Sequence, residues 1–245
     1  MIKEKRHSII LDALIKQGSV TVSELVERLN VSSVTVRKDL TELEKLGKLY
    51  RSHGKAILIN PHINNRSVIE KEKIAPEEKR AIGLEAARLL DRDDSIIIAS
   101  GSTVHALAHA IQPIHRLTVV SASLVVSEIL ATDESIDIIQ LGGMLRHSSL
   151  SVVGQYSETI LRDCSFSKLY LGVDCIDFEY GITTTDMREA ELNKVMMNAA
   201  QKTIVLADSS KFGRRGFAKI SDIEHVHTII TDSGISAKDA KMVEE

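Results

Sequence analysis

Hydrophobic positions follow a helical period near the start of the chain and a different pattern further along. Val36, Leu40 and Leu43 recur at i, i+4 and i+7, which places them on one face of a helix packed against a core. From residue 77 onward, apolar runs of strand length, such as 96–99, alternate with helical stretches. This alternation predicts a mostly parallel sheet covered by helices on both faces. The pattern indicates a small helical unit followed by an α/β domain.

Two short helices are predicted in the first unit from their end signals. Thr21, with Glu24 three residues later, is a capping-box pattern that begins the first helix. Asn30 readily adopts the left-handed conformation that ends such a helix. Ser32 or Ser33 then caps the next helix, because a serine hydroxyl accepts a hydrogen bond from the free backbone N–H groups of a helix start.

The second of these helices carries a polar stripe opposite its apolar one. Val34, Arg37, Lys38 and Thr41 recur at i, i+3, i+4 and i+7. Such a face suits the major groove, because arginine pairs with guanine or phosphate and valine can meet a thymine methyl. Charged faces are common on solvated helices, but here a turn, a capped helix and a basic hairpin over 48–55 follow in the order of a winged helix-turn-helix. The expected DNA contacts are Ser32, Ser33, Val34, Thr35, Arg37, Lys38, Thr41, Arg51, His53 and Lys55.

Charge is segregated along the 245 residues. The net charge of −3 does not suggest a nucleic-acid binder. However, residues 1–60 contain 11 Lys and Arg against 7 Asp and Glu, a net of +4, and the remainder contains 20 against 27, a net of −7. Positive charge on the first unit supports DNA binding there. Two cysteines cannot form a disulfide framework, and no stretch has transmembrane length or the pattern of a signal peptide, so we expect a cytoplasmic protein.

The composition changes between the two units. The stretch 58–76 contains two of the three prolines and three asparagines, and we interpret it as a linker with a short helical piece around 67–73. The predicted organisation is a winged helix-turn-helix domain over 1–57, this linker, and an effector-binding α/β domain over 77–245.

Polar loops follow several of the predicted strands. In open α/β sheets, ligands bind beyond the carboxyl ends of the strands. The first such loop runs directly into a helix, whose free N–H groups suit a phosphate, and another offers two glycines and an arginine. Each loop alone is typical of a plain turn, but several at one sheet edge favour a small phosphorylated ligand. Its expected contacts are Ser100, Gly101, Ser102, Thr103, Ser121, Gly142, Gly143, Arg146, Asp174 and Lys211.

A resemblance to the DeoR family of bacterial transcription regulators begins in the second helix and the hairpin, NVSSVTVRKDLTELEKLGKLYRSHGKA. Lys55 departs from the family by replacing the second glycine of the hairpin. Further along the chain, five segments resemble the effector domain of the family, in this order: LGGMLR, SVVGQ, YLGVDCID, GITTTD and ADSSKFG. The resemblance therefore covers essentially the whole chain. The positions that match in the first unit are Arg37-Lys38-Asp39-Leu40, Leu43-Glu44, Gly47 and His53-Gly54.

The resemblance implies a second domain similar in fold to ribose-5-phosphate isomerase and glucosamine-6-phosphate deaminase, which senses sugar phosphates. It implies a repressor of carbohydrate uptake or catabolism genes that binds double-stranded operator DNA as a homo-oligomer, a dimer or a tetramer. Ala99 and Ala122 stand where the family often has an acidic residue and an asparagine, so effector binding is expected to be altered or weakened. Carried over by position, the pocket contains Gly101, Ser102, Thr103, Gly142, Gly143, Asp174 and Lys211.

Two alternatives to a ligand-responsive regulator stay open at this stage. The first is a sugar-phosphate isomerase or deaminase fused to a DNA-binding head, which needs a carboxylate base such as Asp174, Asp177 or Asp186. The second is a regulator with a ligand-dead pocket, which fits Ala99 and Ala122. Turnover of a sugar phosphate favours the first, and the absence of any ligand response favours the second.

Catalytic and metal-binding motifs give no positive signal. His105 and His109 are four residues apart on a predicted helix, a spacing that zinc sites use, but Ala106 between them is not the glutamate of a protease motif and no third ligand is evident. The sequence has no P-loop, GxGxxG or GxSxG pattern. We therefore expect structural histidines, no enzyme activity and no cofactor.

Overall fold

The computed structural model describes residues 2–45, 48–52, 54–58, 66–112 and 116–244. The chain divides into two compact units, Met1–Asn60 and Pro61–Glu245. Within the described ranges, no helix is both long enough and apolar enough to cross a membrane.

The first unit packs three helices against a small antiparallel sheet. Its helices are α1 (Lys3–Gln17), α2 (Val22–Leu29) and α3 (Ser33–Lys45). Its strands are β1 (Ser19–Thr21), β2 (Leu49–Ser52) and β3 (Lys55–Leu58), in the order β1-β3-β2. The hairpin of β2 and β3, which we call the wing, is the predicted one. The buried core includes Ile10, Leu14, Leu25, Val36, Leu40 and Leu49.

The predicted helix ends of the first unit are confirmed by their hydrogen bonds. Thr21 Oγ1 accepts a hydrogen bond from Glu24 N at 3.2 Å, and Thr21 N donates to Glu24 Oε2 at 2.7 Å, so the capping box is complete. Asn30 ends α2 with φ of 49°. Of the two candidate caps of α3, the structure uses Ser32, whose Oγ accepts from Thr35 N at 3.3 Å.

The second unit is built on a six-stranded parallel sheet. Its helices are α4 (Val68–Glu72), α5 (Pro76–Ala87), α6 (Ser102–Ala110), α7 (Leu124–Leu130), α8 (Gln155–Arg162), α9 (Met187–Ala199) and α10 (Ala237–Glu244). Its strands are β4 (Ser95–Ile98), β5 (Leu117–Ser121), β6 (Ile136–Gln140), β7 (Met144–Arg146), β8 (Ser151–Val153), β9 (Phe166–Gly172), β10 (Cys175–Asp177), β11 (Gly181–Thr184), β12 (Ala200–Leu206), β13 (Ala218–Ser221) and β14 (Thr228–Ile230).

The large sheet has the order β14-β12-β9-β4-β5-β6, with every neighbouring pair parallel. Adjacent strand residues face opposite sides: Ile97 packs in one buried cluster, and Ile96 and Ile98 pack in the other. Burial of both faces explains why these strands are continuous apolar runs. The chain proceeds outward from β4 through β5 to β6, and outward from β9 on the other side through β12. The β4/β9 boundary is therefore the topological switch point, where such sheets bind ligands.

Smaller elements flank this sheet. Strands β10, β11 and β13 form an antiparallel sheet, and β7 pairs with β8 in a hairpin. Part of the stretch interpreted as a linker belongs to the second unit: Pro76 is the first residue of α5, and Val68 in α4 is buried. The short helical piece expected around 67–73 is α4, whose Ser67 and Glu70 form a second capping box. Residues 59–65 lie outside the described part.

Candidate functional site

The outer face of α3 is exposed as the DNA-binding hypothesis requires. Val34 is 72% exposed, whereas Val36, two residues further, is completely buried. Arg37 and Lys38 are exposed as well. Thr41 is half-buried, and its hydroxyl donates to Arg37 O at 2.8 Å, so it contributes a methyl rather than a free hydroxyl to this face. The remaining predicted contacts on this helix start, Ser32 and Ser33, are exposed, and Thr35 is half-buried.

Asp39, which follows the two exposed cations, faces the interior. Arg6 of α1 donates to it from Nε to Oδ2 at 2.6 Å and from Nη2 to Oδ1 at 2.9 Å. These hydrogen bonds hold the pKa of the Asp39 carboxyl below its usual value. The paired interaction joins α1 to α3 and so fixes the direction in which Arg37 and Lys38 project.

The wing is attached to the end of α3 by a charged contact. Glu44 Oε1 accepts from Arg51 N at 2.9 Å, and Glu44 Oε2 accepts from Arg51 Nε at 2.8 Å. Arg51, expected on the DNA backbone, therefore already has a carboxylate partner and also serves to orient the hairpin. Lys55 is exposed beside Gly54, whose φ of 78° makes the hairpin turn. His53 lies outside the described residues.

A polar cavity lies at the carboxyl ends of β4 and β9. Its volume is about 40 Å³. Seven of the ten predicted contacts line it, which are Ser100, Gly101, Ser102, Thr103, Arg146, Asp174 and Lys211. The other lining residues are Arg66, Val68, Lys71, Ser148, Ser149, Gly172, Val173, Thr184, Thr185 and Glu189. The prediction from the strand ends thus found the loops after β4 and β9 but omitted the contribution of α4.

Three predicted contacts do not line the cavity, and each has a structural role instead. Ser121 is buried, and its Oγ donates to Ile98 O at 2.7 Å across two neighbouring strands. Gly142 O accepts from Ser157 Oγ at 2.6 Å, which fixes the loop after β6 to α8. A Cβ on Gly143 would lie 2.6 Å from Val153 O, so this glycine permits close packing against β8.

Ala99 and Ala122 do not line the cavity either. Both are buried in the apolar cluster on one face of the large sheet, with exposures of 0% and 2%. The expectation that these two residues alter the polar contacts of the pocket is therefore not supported by their positions. Their methyl groups contribute to the core.

The start of α6, which lines the cavity, has a geometry that suits an anion. Gly101 precedes the helix with φ of 129°, a conformation that strongly favours glycine. Among the described residues, no side chain caps this helix start. Its backbone N–H groups and the positive end of its dipole are therefore available to an anion beside Ser102 and Thr103.

Asp174, at the end of β9, is held by polar contacts on both oxygens. Lys71 Nζ donates to Oδ1 at 2.6 Å, and Thr184 Oγ1 donates to Oδ2 at 3.0 Å. Burial opposes ionisation, but the charges of Lys71 and Lys211 outweigh it and hold the pKa of this carboxyl well below its usual value. Asp174 is therefore an ionised acceptor, a group that binds hydroxyls.

Glu189 in the first turn of α9 joins three other elements at the cavity wall. It accepts hydrogen bonds from Ser100 Oγ at 2.9 Å, Arg146 Nη1 at 2.9 Å and Thr184 Oγ1 at 3.1 Å. Arg146 also lies 3.3 Å from a carboxylate oxygen of Asp186. Arg146, predicted to meet an anion, is thus bound between two carboxylates of the protein itself.

Both ring nitrogens of His105, one of the two histidines with zinc-like spacing, have partners within the protein. His105 is buried, its Nδ1 lies 2.7 Å from Glu72 Oε1, and its Nε2 lies 3.1 Å from Ser123 Oγ. Burial lowers its pKa. In the part of the chain that the structure describes, no group of three or more His, Cys, Asp or Glu side chains is arranged to hold a metal ion.

The two units together define a DNA-binding protein with a separate sensor domain. Comparison with protein families agrees: residues 6–62 match the model described as DeoR-like helix-turn-helix domain, and residues 74–233 match the model described as DeoR C terminal sensor domain. The chain belongs to the DeoR family of transcription regulators.

Similar proteins of known description are regulators as well. The chain is 35% identical over 236 residues to a putative aga operon transcriptional repressor of Escherichia coli O157:H7, covering 95% of this chain and 87% of that protein. It is 35% identical over 235 residues to a lactose phosphotransferase system repressor of Streptococcus mutans, covering 95% and 93%. Ribose 5-phosphate isomerase A of Neisseria gonorrhoeae shares 19% identity over 56% of this chain and 53% of that one, with a TM-score of 0.41. The two relatives at 35% identity are transcription regulators and not enzymes, and this chain is a transcription regulator as well.

Proposed function

We propose that this regulator represses genes of carbohydrate uptake or catabolism, and that a phosphorylated sugar in the sensor cavity changes its affinity for operator DNA. The relatives support the gene class, since one is named for an aga operon and another for a lactose phosphotransferase system. The observation that carries the ligand class is the uncapped start of α6 beside Lys211 and Asp174. Repression of chromosomal genes is consistent with a cytoplasmic location.

In this proposal, the phosphate of the ligand lies at the start of α6. Backbone N–H groups and the hydroxyls of Ser102 and Thr103 donate to it, and Lys211 supplies positive charge. Asp174 accepts hydrogen bonds from sugar hydroxyls at the other side of the cavity. A cation and an anion that line the same cavity match a molecule with a phosphate at one end and hydroxyls at the other.

DNA binding is assigned to the exposed face of α3 and to the wing. Val34, Arg37 and Lys38 enter the major groove, and Lys55 lies along the backbone. Operators of helix-turn-helix repressors contain repeated half-sites, so we propose that the protein binds DNA as a homo-oligomer, a dimer or a tetramer.

The DNA assignment is tested with Arg37→Ala, which should weaken specific operator binding by about 1–3 kcal/mol. Lys16→Ala is the matched control, because Lys16 is an exposed cation near the end of α1, outside the proposed contact surface. Fluorescence anisotropy with operator and with scrambled DNA measures both affinities. Unchanged operator affinity in Arg37→Ala would remove this residue from the interface.

The ligand assignment is tested by thermal shift against a panel of sugar phosphates and their unphosphorylated parents. A ligand that binds only the folded state raises the melting temperature by mass action. Lys211→Ala should abolish the shift and spare DNA binding. Lys202→Ala, which removes an exposed cation in β12 outside the cavity, should retain the shift. A flat screen with intact DNA binding would favour a regulator with a ligand-dead pocket.

A further inference from the structure

The cavity is too small for the ligand proposed for it. Its 40 Å³ holds a few water molecules, since one water requires about 10–15 Å³ of such volume. Pockets for small ligands typically measure about 300–1,000 Å³. A sugar phosphate that is to lie wholly inside this cavity therefore requires part of the wall to move.

The walls differ in how firmly they are held. The loops after β4 and β9 continue from two central strands of the large sheet, and Ala99 N still donates to Tyr170 O at 3.0 Å. In contrast, α4 is a helix of five residues that contributes Val68 and Lys71 to the cavity. Its displacement leaves the large sheet intact.

Several polar contacts hold α4 on the sensor domain, and two of them are made with lining residues of the cavity. Val68 N donates to Ser148 O at 2.6 Å, and Lys71 Nζ donates to Asp174 Oδ1 at 2.6 Å. Two others, from Lys79 Nζ to Lys71 O and between Glu72 and His105, are made with residues that do not line the cavity. Entry of a ligand therefore acts directly on the contacts of Val68 and Lys71 and not on that of Glu72.

We infer that α4 is a ligand-operated strap: the ligand separates Lys71 from Asp174, Lys71 turns to the phosphate, and α4 moves while Glu72 stays on His105. This inference rests on the proposed function. The exchange leaves Lys71 paired with an anion and Asp174 hydrogen-bonded, because the phosphate replaces Asp174 as the partner of Lys71 and sugar hydroxyls replace Lys71 as donors to Asp174. A ligand without a phosphate offers Lys71 no anion and leaves the strap closed.

The position of α4 in the chain gives this movement a consequence for DNA binding. The sensor domain continues to the DNA-binding unit through the residues that directly precede Arg66. A displacement of α4 therefore moves the point at which the DNA-binding unit is attached. Because the ligand binds more tightly to one strap position than to the other, it shifts the balance between them.

The first arm of the test is hydrogen exchange of the full chain in the absence of any ligand. Lys71→Gln removes the cation of the strap contact, and amides of 68–74 should exchange about tenfold faster or more, whereas amides of the large sheet should not change. Lys73→Gln is the matched control, because Lys73 is exposed on the same segment and makes no ion pair among the described residues. Equal exchange in the two variants would overturn the proposal, and unchanged sheet protection shows that the variant is folded.

The second arm adds each sugar phosphate of the panel to the wild type, with binding measured by calorimetry on the same sample. A compound that binds should accelerate exchange over 68–74, and its unphosphorylated parent should not. Binding without any change over 68–74 would refute the strap while leaving the proposed sensing intact. If no compound binds, the proposed sensing of sugar phosphates fails, and the first arm alone decides whether Lys71 holds α4.

Discussion

Replacing Gly83 with alanine should destabilise the sensor domain, although alanine is the better helix former. Gly83 lies in α5, where a Cβ would be 2.6 Å from the carbonyl carbon and oxygen of Ala106 and 2.8 Å from Leu107 N. All three are backbone atoms of α6, so no side chain can rotate away. Ordinary contact for such an atom begins near 3.4 Å, and the two helices must separate locally by about 0.8 Å.

Two opposing effects set the magnitude. Gly→Ala within a helix contributes up to about 1 kcal/mol of stability through backbone entropy. Overpacking in a close-packed interior costs about 1–3 kcal/mol, and occasionally more, when neighbours must shift. Contact with rigid backbone places Gly83→Ala at or above the upper end of that range, so we expect a net loss of about 2 kcal/mol. For a unit of this size, that loss lowers the melting temperature by roughly 4–8 °C.

The assay is thermal and urea unfolding followed by far-ultraviolet circular dichroism. Gly142→Ala is the matched control, because a Cβ there meets nothing within 4 Å and the backbone is not in the left-handed region. The control should melt with the wild type. If Gly83→Ala melts at or above the wild-type temperature, the close approach of α5 to α6 is not a constraint on the fold and the reasoning fails.

Two further predictions concern the other contacts that hold helices in place. Thr21→Ala removes the cap of α2 and should destabilise the DNA-binding unit by about 1 kcal/mol. Thr21→Ser should retain most of the stability that the cap contributes, and urea unfolding of both variants measures the difference. Lys79 is buried, with its ammonium donating to Lys71 O and Ile74 O. Burial, and then the charge of Lys211, lowers its pKa from 10.5 to about 8. Between these values the unfolded chain binds more protons, so this group should make stability rise with pH by about 3 kcal/mol in total. In Lys79→Met, the free energy of unfolding from urea titrations should no longer rise with pH over this range. An unchanged pH dependence in the variant would contradict the prediction.

Local sequence signals predicted the first unit in detail, because nearby residues determine where its helices begin and end. Capping boxes and left-handed residues depend on contacts within a few positions, and Thr21, Asn30 and Ser32 behave as their types require. The alternation of strands and helices likewise predicted a parallel sheet. Strand order was not predictable, because β9 lies beside β4 through pairings between residues about 70 positions apart, as for Ile97 and Leu169.

The cavity was predictable only where it is made by strand ends. The segment before residue 76 has the composition of a linker, and nothing local distinguishes Lys71 from a solvated lysine. Its partner Asp174 is 103 positions away. Arg146 shows the converse error: an arginine after two glycines suits an anion, but the fold supplies that anion as Glu189, 43 positions away. Pairing of charges across long separations is set by the tertiary fold.

The two charge pairs of the cavity differ in a way that assigns them different tasks. The Arg146 side chain is 5% exposed and lies between Glu189 and Asp186, so a ligand that displaced these carboxylates would leave a buried charge with less compensation. Lys71 is 26% exposed and makes one ion pair, with Asp174, on an element of five residues. Solvent reaches this pair, and both of its members project into the space that the ligand needs. The Arg146 cluster therefore keeps the wall in shape with or without ligand, and the Lys71 pair is the contact that a ligand can exchange.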